Sequence, residues 1–141
     1  MEIVKCSLAD CAKLAVLNKQ LIEDEGHDNP MDVLQLEQRM LQFLSNDYSA
    51  YYFMENDRVI GYGLVQESVQ PLYLRHFFIC RDCRRRGFGR RAFHALLAVL
   101  GVDTIELDVL DSNERGKAFW QSLQFQPRLI RLRYQKGKQN Q

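Results

Sequence analysis

An arginine- and glycine-rich loop constrains the fold of this chain more than any other feature, because it joins a strand-like segment to an amphipathic helix. Its sequence is Cys83-Arg84-Arg85-Arg86-Gly87-Phe88-Gly89-Arg90. The glycines allow a tight turn and a close approach to a ligand, and the next helix begins here with free N–H groups and the positive end of its dipole. The loop therefore predicts a pyrophosphate site, in which arginines add charge-assisted hydrogen bonds. It lacks the ending of a P-loop and the third glycine of a dinucleotide-binding fold, which disfavours both classes.

Hydrophobic periodicity predicts further helices and strands along the rest of the chain. Ser7 and Asp10 resemble a capping pair that opens the first helix, and Asn29 with Pro30 is expected to cap and begin the second. Strands are predicted at residues 3–6, 48–54, 59–67, 72–79, 105–109 and 130–134. The resulting order, β-α-α-β-β-β-α-β-α-β, predicts an α/β (α+β) fold with a mixed, mostly antiparallel, twisted sheet flanked by helices.

Length, charge and cysteine content set further limits. At 141 residues with a net charge of +1, the chain is the size of one domain and has no overall attraction to nucleic acid or membranes. We expect a single domain over residues 1–135 and a disordered basic and polar tail over residues 136–141. No apolar run is long enough to cross a bilayer, and the N-terminus lacks a secretory signal pattern. A cytoplasmic protein with free thiols is therefore expected.

Two motifs match a known superfamily. Arg84, Gly87 and Gly89 fit its signature Arg/Gln-x-x-Gly-x-Gly/Ala between the fourth strand and the third helix. Its next motif is a strand ending in valine, then an asparagine and an aromatic pair, and it is matched by Val109, Asn113, Phe119-Trp120 and Phe125. In these residues the chain resembles the GNAT superfamily of N-acetyltransferases. Its segment 72–79 is similar to the corresponding strand of the diamine acetyltransferase branch.

The resemblance implies a GNAT-type fold and transfer of an acetyl group from acetyl-CoA to a primary amine of a small molecule, by direct attack on the thioester. In this fold the fourth and fifth strands diverge, and the thioester lies between them near strand N–H groups that act as an oxyanion hole. Asn113 is expected near the cofactor, and Trp120 either donates a hydrogen bond to the sulfur or is a core aromatic residue. The implied coenzyme A site also includes Phe77, Phe78 and Ile79 beside the pantetheine arm and Arg84, Arg85, Arg86, Gly87, Phe88, Gly89 and Arg90 around the pyrophosphate.

The usual catalytic pair of the superfamily is missing from the matching positions. Many members place a glutamate on the fourth strand as a base and a tyrosine on the last helix as an acid. This chain has Tyr73 and Arg75 on the strand and Trp120 on the helix. His76 is a candidate base near neutral pH, although strand alternation places it on the face opposite Arg75 unless a bulge intervenes. Tyr134 on the predicted last strand is a further candidate proton donor.

Charged residues give two conflicting indications about the amine. Arg75 would repel a polyamine and so favours an amine that also carries a carboxylate, unless it is simply an exposed strand arginine. Glu23, Glu25 and His27 lie between the first two helices and would instead bind or deprotonate a cationic amine, unless they form a solvated helix end. The sequence alone leaves these alternatives open.

Other functions compete with transfer to a small-molecule amine. The missing glutamate and tyrosine favour a non-catalytic acyl-CoA sensor, and transfer to a protein N-terminus or lysine is a second alternative. A nucleic-acid-binding module is disfavoured by the near-zero net charge and by the lack of an aromatic ladder beside the arginines. Family members often form homodimers, and this chain could do the same, although no residue indicates it.

The cysteines raise the question of a metal. Cys80 and Cys83 have the spacing of a metal or redox pair, and Cys6 with Cys11 would complete four ligands. Cys6 and Cys11 lack the tight spacing of a zinc knuckle, and a zinc ion at Cys80 and Cys83 would crowd the phosphate loop. We therefore expect no metal.

Overall fold

The computed structural model describes residues 1–84 and 86–137, and within them the chain forms a five-stranded sheet and four α-helices. In chain order the elements are β1 (Glu2–Lys5), α1 (Cys11–Asp24), α2 (Val33–Ser45), β2 (Tyr48–Glu55), β3 (Arg58–Gln66), β4 (Leu72–Ile79), α3 (Phe88–Leu100), β5 (Ile105–Glu106) and α4 (Glu114–Ser122). None of the described helices is both long and apolar enough to span a bilayer. Arg85 and residues 138–141 of the predicted tail lie outside the described residues.

The sheet is mixed and mostly antiparallel, as predicted. Its strand order is β1-β2-β3-β4-β5, and only the pair β4–β5 is parallel. β5 is shorter than predicted, and its ladder with β4 consists of Leu72 opposite Ile105 and Tyr73 opposite Glu106. From residue 74 to residue 79, no strand of the described chain pairs with β4 on this side. The two strands therefore diverge, and one edge of β4 lines the gap between them.

Helices cover both faces of the sheet, so each face has its own apolar core. On one face Phe53 of β2 is buried with Leu96 of α3, and α4 packs at the margin of this cluster. On the other face Leu14 of α1 and Met40 of α2 are buried against Tyr62 of β3. Full burial of each large apolar side chain contributes about 1.5–3 kcal/mol, so the two clusters together fix the helices on the sheet.

A bulge in β4 changes the direction in which its side chains point. Leu64 lies opposite His76 and Val65 lies opposite Leu74, so Arg75 has no partner on β3. An extra residue of this kind resets the alternation of side chains along a strand. Arg75 and His76 consequently both approach the Phe43 ring on the α2 face, at 5.0 Å and 6.2 Å from its centroid. The bulge is the exception under which the sequence allowed Arg75 and His76 to share a face.

The second helix begins later than predicted. Asp32 rather than Asn29 is the N-cap, and its side chain accepts a hydrogen bond of 2.8 Å from the Gln35 N–H. The Gln35 side chain in turn accepts a hydrogen bond of 2.9 Å from the Asp32 N–H, which completes a capping box. Asn29 instead stabilises the preceding turn, because its side-chain oxygen accepts a hydrogen bond of 2.9 Å from the Met31 N–H.

The predicted last strand does not form in the described part of the chain. Residues 125–135 have no regular structure, and their apolar side chains are 76–87% exposed at Leu129, Ile130, Leu132 and Tyr134. Alternation alone favours an extended backbone, but a strand also needs a neighbouring edge with which to pair. The nearest link to the sheet is a distance of 3.9 Å between Arg128 Nε and Glu106 Oε2. The prediction of a sixth strand at 130–134 is therefore wrong.

Two glycines of β3 offer a test of the sheet packing. A Cβ at Gly61 would overlap the backbone carbonyl oxygen of Phe78, whereas a Cβ at Gly63 would lie 3.2 Å from the end of the Phe53 ring and 3.3 Å from a methyl group of Leu96. The side chains beside Gly63 can shift to make room for a methyl group, whereas the backbone of β4 beside Gly61 is held by strand pairing. We expect Gly61→Ala to lower the free energy of unfolding by about 3 kcal/mol and Gly63→Ala by about 1 kcal/mol. Urea unfolding measures both, and equal losses would contradict this account.

Candidate active site

The start of α3 presents unpaired backbone donors. Gly87 is the N-cap with φ of 74°, a left-handed conformation that glycine adopts without strain, and no side chain of the described residues caps the helix. Arg91 N–H donates the first hydrogen bond of the helix, 3.1 Å to the Gly87 carbonyl. The N–H groups of residues 88–90 therefore have no acceptor within the helix. Together with the positive end of the helix dipole, they form a site suited to an anion.

Gly89 has a different role from the one that the loop sequence suggests. A Cβ at this position would lie 3.0 Å from the Phe119 ring. The missing side chain thus lets Phe119 of α4 pack directly against the first turn of α3. Gly87 allows the left-handed turn before α3, and Gly89 allows the close contact between α3 and α4.

The arginines of the loop divide into those bound by the protein and those facing outward. Arg84 is bound on several sides: its Nη2 contacts Asp24, its Nε donates 2.9 Å to the Ile79 carbonyl, and its guanidinium lies 5.7 Å from the centroid of the Phe78 ring. Arg81 also contacts Asp24, at 2.7 Å. Arg84 therefore fixes the loop from within rather than pointing outward to a ligand.

The remaining arginines lie at the outer side of the loop and on the first turn of α3. Arg90 donates 3.2 Å to the Ser122 carbonyl of α4, and Arg91 forms a 2.9 Å ion pair with Glu55. Arg86 is exposed and has no ion-pair partner among the residues that the structure describes. Its guanidinium is thus available to an anion at the helix start, and Arg85 lies outside the described residues.

Asp24 links the end of α1 to the loop before α3. Its carboxylate is 14% exposed and contacts the guanidinium groups of both Arg81 and Arg84. Burial by itself would raise the pKa of this carboxyl, but the hydrogen bonds and positive charges of Arg84 and Arg81 outweigh burial and hold the pKa below its usual value. The carboxylate is therefore charged at neutral pH and joins two segments that lie 60 positions apart in the sequence.

Tyr73 and Asp108 bridge the two strands where they begin to diverge. The Tyr73 hydroxyl donates a hydrogen bond of 3.0 Å to Asp108 Oδ2. Burial, then the hydrogen bond to Asp108 and the charge of Asp108, raise the pKa of Tyr73 to about 12. The hydroxyl therefore keeps its proton at any physiological pH and is held at the mouth of the gap between β4 and β5.

Asn113 lies at the start of α4. Its side-chain oxygen accepts a hydrogen bond of 3.0 Å from the Gly116 N–H and so caps the helix. A Cβ at residue 116 would lie 2.5 Å from Asn113 Nδ2, so the glycine permits this cap. The capping bond uses the oxygen of the amide group and leaves Nδ2 as the donor that a ligand would meet.

Trp120 belongs to an aromatic cluster between β4, α3 and α4. Its ring centroid lies 5.1 Å from that of Phe77, 5.6 Å from Phe93, 4.7 Å from Phe119 and 5.0 Å from Phe125. The rings meet edge to face, the geometry that aromatic pairs prefer. Of the two interpretations of Trp120, the structure therefore favours the core aromatic residue. Phe77 contributes its side chain to the same cluster and its backbone to the open edge of β4.

A polar cluster lies behind the bulge, on the α1 and α2 face. His76 is 8% exposed, and its Nδ1 lies 3.0 Å from the hydroxyl of Tyr62. Burial, then the positive charges of Arg39 and Arg75, lower the pKa of His76 to about 3. The imidazole is consequently neutral at physiological pH and a weak proton acceptor. Arg75 lies outside this cluster, where its Nη1 donates 3.4 Å to the Tyr48 hydroxyl.

The acidic residues after α1 are arranged around the arginine-rich loop and the following turn. Glu23 lies 3.7 Å from Arg81, and the Nδ1 of His27 accepts a hydrogen bond of 3.2 Å from the Asn29 N–H. Burial raises the pKa of Glu25. Tyr134 lies apart in the exposed segment that follows α4, and the structure gives it no place beside the strand opening.

The four cysteines are free thiols in two pairs of nearby sequence positions. Burial raises the pKa of Cys6 to about 12 and raises the pKa of Cys80 and Cys83. Raised values favour the neutral thiol, which binds metals poorly. Within the described residues, no three side chains of the kinds that bind metal ions come together.

Three contributors to this site were not predicted from the sequence: Asp24, Arg39 and Asp108. Asp24 has no local pattern that singles it out, and its contact with the loop arginines depends on the fold. Asp108 alternates with apolar residues along the 105–109 segment, and that alternation does place its side chain away from the core. Arg39 has no distinguishing local pattern, since a helical arginine is most often solvated.

Comparison with known proteins places this geometry in context. The sequence model of the Acetyltransferase (GNAT) family matches residues 15–125. No curated protein matches the chain significantly.

Several solved structures share the fold. A possible acetyltransferase from Clostridium difficile 630 superimposes with a TM-score of 0.77 at 18% identity, over 95% of this chain and 96% of its own. A predicted acetyltransferase from Clostridium acetobutylicum, solved with acetyl-CoA, gives 0.73 at 17% identity over 95% of each chain. The aminoglycoside N-acetyltransferase AAC(6')-Iy, solved with CoA, gives 0.70 at 16% identity over 96% of this chain and 94% of its own.

The link between Asp24 and the loop is tested by Asp24→Asn. Loss of the carboxylate leaves Arg84 partly buried without a counter-charge, and we expect the free energy of unfolding at pH 7 to fall by about 1–3 kcal/mol. Because the folded-state pKa is depressed, the contribution of Asp24 is present above the unfolded pKa of about 3.9 and is lost as pH falls through the lower folded value. Urea unfolding from pH 7 to pH 3 measures the difference.

Asp28→Asn is the matched control, because the Asp28 side chain is 98% exposed. We expect it to change the unfolding free energy by less than about 0.5 kcal/mol. Equal effects of Asp24→Asn and Asp28→Asn would contradict the link between Asp24 and the loop arginines. A loss of unfolding free energy in Asp24→Asn that does not shrink at acid pH would contradict it as well.

Proposed function

Because the chain belongs to the acetyltransferase (GNAT) family, we propose that it transfers the acetyl group of acetyl-CoA to a primary amine of a small molecule. The observation that carries the proposal is the continuity of an open strand edge with an uncapped helix start. β4 is unpaired toward β5 from residue 74 to residue 79, and the free N–H groups of α3 follow within ten residues. A ligand with an extended arm and a pyrophosphate group fits both features at once.

The residues of the loop bind the anionic part of acetyl-CoA in this proposal. The N–H groups of residues 88–90 and the guanidinium of Arg86 receive the pyrophosphate, while Arg84 holds the loop through Asp24. The backbone of residues 77–79 pairs with the pantetheine arm, and Asn113 Nδ2 donates to the cofactor from the start of α4. The solved relatives with acetyl-CoA and with CoA support this choice of co-substrate.

The reaction proceeds by attack of a neutral amine on the thioester carbonyl. A carbon–nitrogen bond forms, the carbon–sulfur bond breaks, and the ammonium group that results gives its proton to solvent. Tyr73 lies where the two strands begin to diverge, and in this scheme its single O–H turns from Asp108 to donate a hydrogen bond to the departing sulfur. A thiolate with a pKa close to the roughly 8.5 of cysteine leaves without full proton transfer, so a strong acid is not required.

His76 does not act as a base in this scheme. Its imidazole has a pKa of about 3 and is held against Tyr62, so it positions the bulge that carries Arg75. The aminoglycoside enzyme shares the fold, and its name describes a small-molecule amine substrate, which supports that acceptor class at a coarse level.

Calorimetric titration of acetyl-CoA tests the binding site. Gly87→Trp places a large side chain at the helix start, and we expect binding to weaken at least about 10²-fold or disappear, since the free N–H groups are covered. Gly101→Trp is the matched control, because Gly101 lies at the opposite end of α3. Its φ of 67° is close to the 74° of Gly87, and a Cβ added at either glycine meets no atom within 4 Å. Loss of binding in both variants, or in neither, would contradict the site.

Release of free thiol tests the reaction. With acetyl-CoA and a panel of amines, we expect thiol release that depends on the amine. Acetyl-CoA binding without amine-dependent release would overturn the enzymatic proposal and favour the acyl-CoA sensor.

Tyr73→Phe tests the assigned hydrogen bond to sulfur. We expect kcat to fall by about 10²-fold, because a positioned donor to a leaving group contributes on that order, while the Kd of acetyl-CoA stays unchanged. Tyr134→Phe is the control, because this hydroxyl is exposed outside the strand opening and its removal should leave kcat unchanged. A fall in kcat with Tyr134→Phe and none with Tyr73→Phe would transfer the donor role to Tyr134.

A further inference from the structure

Two guanidinium groups lie against the same aromatic ring beside the β4 bulge. The Cζ of Arg39, from α2, is 5.4 Å from the centroid of the Phe43 ring, and the Cζ of Arg75 is 5.0 Å from it. No carboxylate of the described residues lies within ion-pair distance of either guanidinium. The described residues thus provide no counter-charge for two cations that lie against one ring.

The protein satisfies these cations only in part. Arg39 Nη2 donates 3.1 Å to Asn18 Oδ1, but its buried Nε has no acceptor among the described groups. Burial and the charge of Arg75 both lower the pKa of Arg39. A cation that is partly removed from water is unfavourable unless it is paired. A negatively charged group that binds here would offset the unfavourable free energy of burying the charge of Arg39. It would also offset the repulsion between Arg39 and Arg75.

The pair lies next to the proposed reaction centre. Arg75 follows Tyr73 by two residues, a distance of about 7 Å along a strand, and Tyr73 marks the divergence of β4 and β5. Arg75 is exposed and reaches the Tyr48 hydroxyl at 3.4 Å, so its guanidinium is accessible to a ligand. An anionic group at Arg75 would lie a few bonds from an amine at the thioester.

We propose that the acceptor is an amine that also carries a carboxylate, that Arg75 binds this carboxylate, and that Arg39 adds to the positive potential at the same place. This inference rests on the proposed acetyl transfer and names its substrate class. Arg75 is the direct contact, because a guanidinium binds a carboxylate through two parallel hydrogen bonds. Arg39 is more enclosed and acts through its charge. Polyamines, which carry only positive groups, are excluded by the same pair.

Matched pairs of amines test the proposal. Each pair consists of an amino acid and its primary amide, which share the reacting nitrogen and differ in the negative charge. We expect the wild-type chain to prefer the acid by about 10- to 100-fold in kcat/KM, mainly through KM. Arg75→Met, which keeps the length of the side chain without its charge, should abolish the preference, and Arg75→Lys should keep part of it.

Arg131→Met is the control, because it removes an exposed arginine from the unpaired segment after α4. It should leave the preference unchanged, and the Kd of acetyl-CoA should be the same in all of these variants. Arg39→Gln should reduce the preference less than Arg75→Met does.

The outcomes separate this inference from the proposed function. Thiol release with neither member of any pair overturns the acetyl transfer and the inference with it. Equal rates for acid and amide in the wild-type chain overturn the inference alone, and this comparison does not depend on the folding of a variant. If Arg75→Met lowers kcat/KM equally for the acid and for the amide, Arg75 has a general structural role. This result also overturns the inference.

Discussion

The early end of the β4–β5 ladder is the constraint on which the proposed active site depends. Pairing stops after Tyr73 and Glu106, and the remaining edge of β4 needs other partners for its backbone groups. Backbone groups without a strand partner must bond to water or to a ligand, so a ligand with amides at strand spacing is suited to this edge. Acetyl-CoA is such a ligand under the proposed function, because its pantetheine arm carries these groups.

Aromatic packing keeps this arrangement in place. Phe77 projects from the open part of β4 into the rings of Phe119 and Trp120, with centroids 6.0 Å and 5.1 Å away. Each such pair contributes about 0.5–1.5 kcal/mol beyond its burial. The contacts fix α4 against β4, and Gly89 lets α3 approach the same rings. Asn113 at the start of α4 and the free N–H groups of α3 are therefore held in one orientation relative to the strand edge.

The sequence predicts those parts of the fold that depend on local patterns. The strands at 48–54 and 72–79 and the glycine-rich turn that opens the third helix follow from periodicity and glycine placement. The β4 bulge cannot be predicted in this way, because the register between two strands depends on how both of them pair. The partner of Arg84 is an acidic residue 60 positions away, with no pattern that singles it out. The segment 130–134 alternates like a strand, and alternation does not say whether an edge is available for pairing.

Under the proposed function, the β4 bulge also bears on whether His76 can act as a base. It turns Arg75 toward the same face as His76, and the charges of Arg75 and Arg39 add to burial in holding the pKa of His76 near 3. A histidine base working at neutral pH would need less burial as well as the removal of those cations. Loss of a general base typically lowers a rate by about 10²- to 10⁴-fold, whereas holding two reactants in the correct geometry is worth about 10⁵–10⁸ M in effective concentration. Under the proposed acetyl transfer, this site therefore relies on positioning the amine, and Arg75 is the group to which we assign that role.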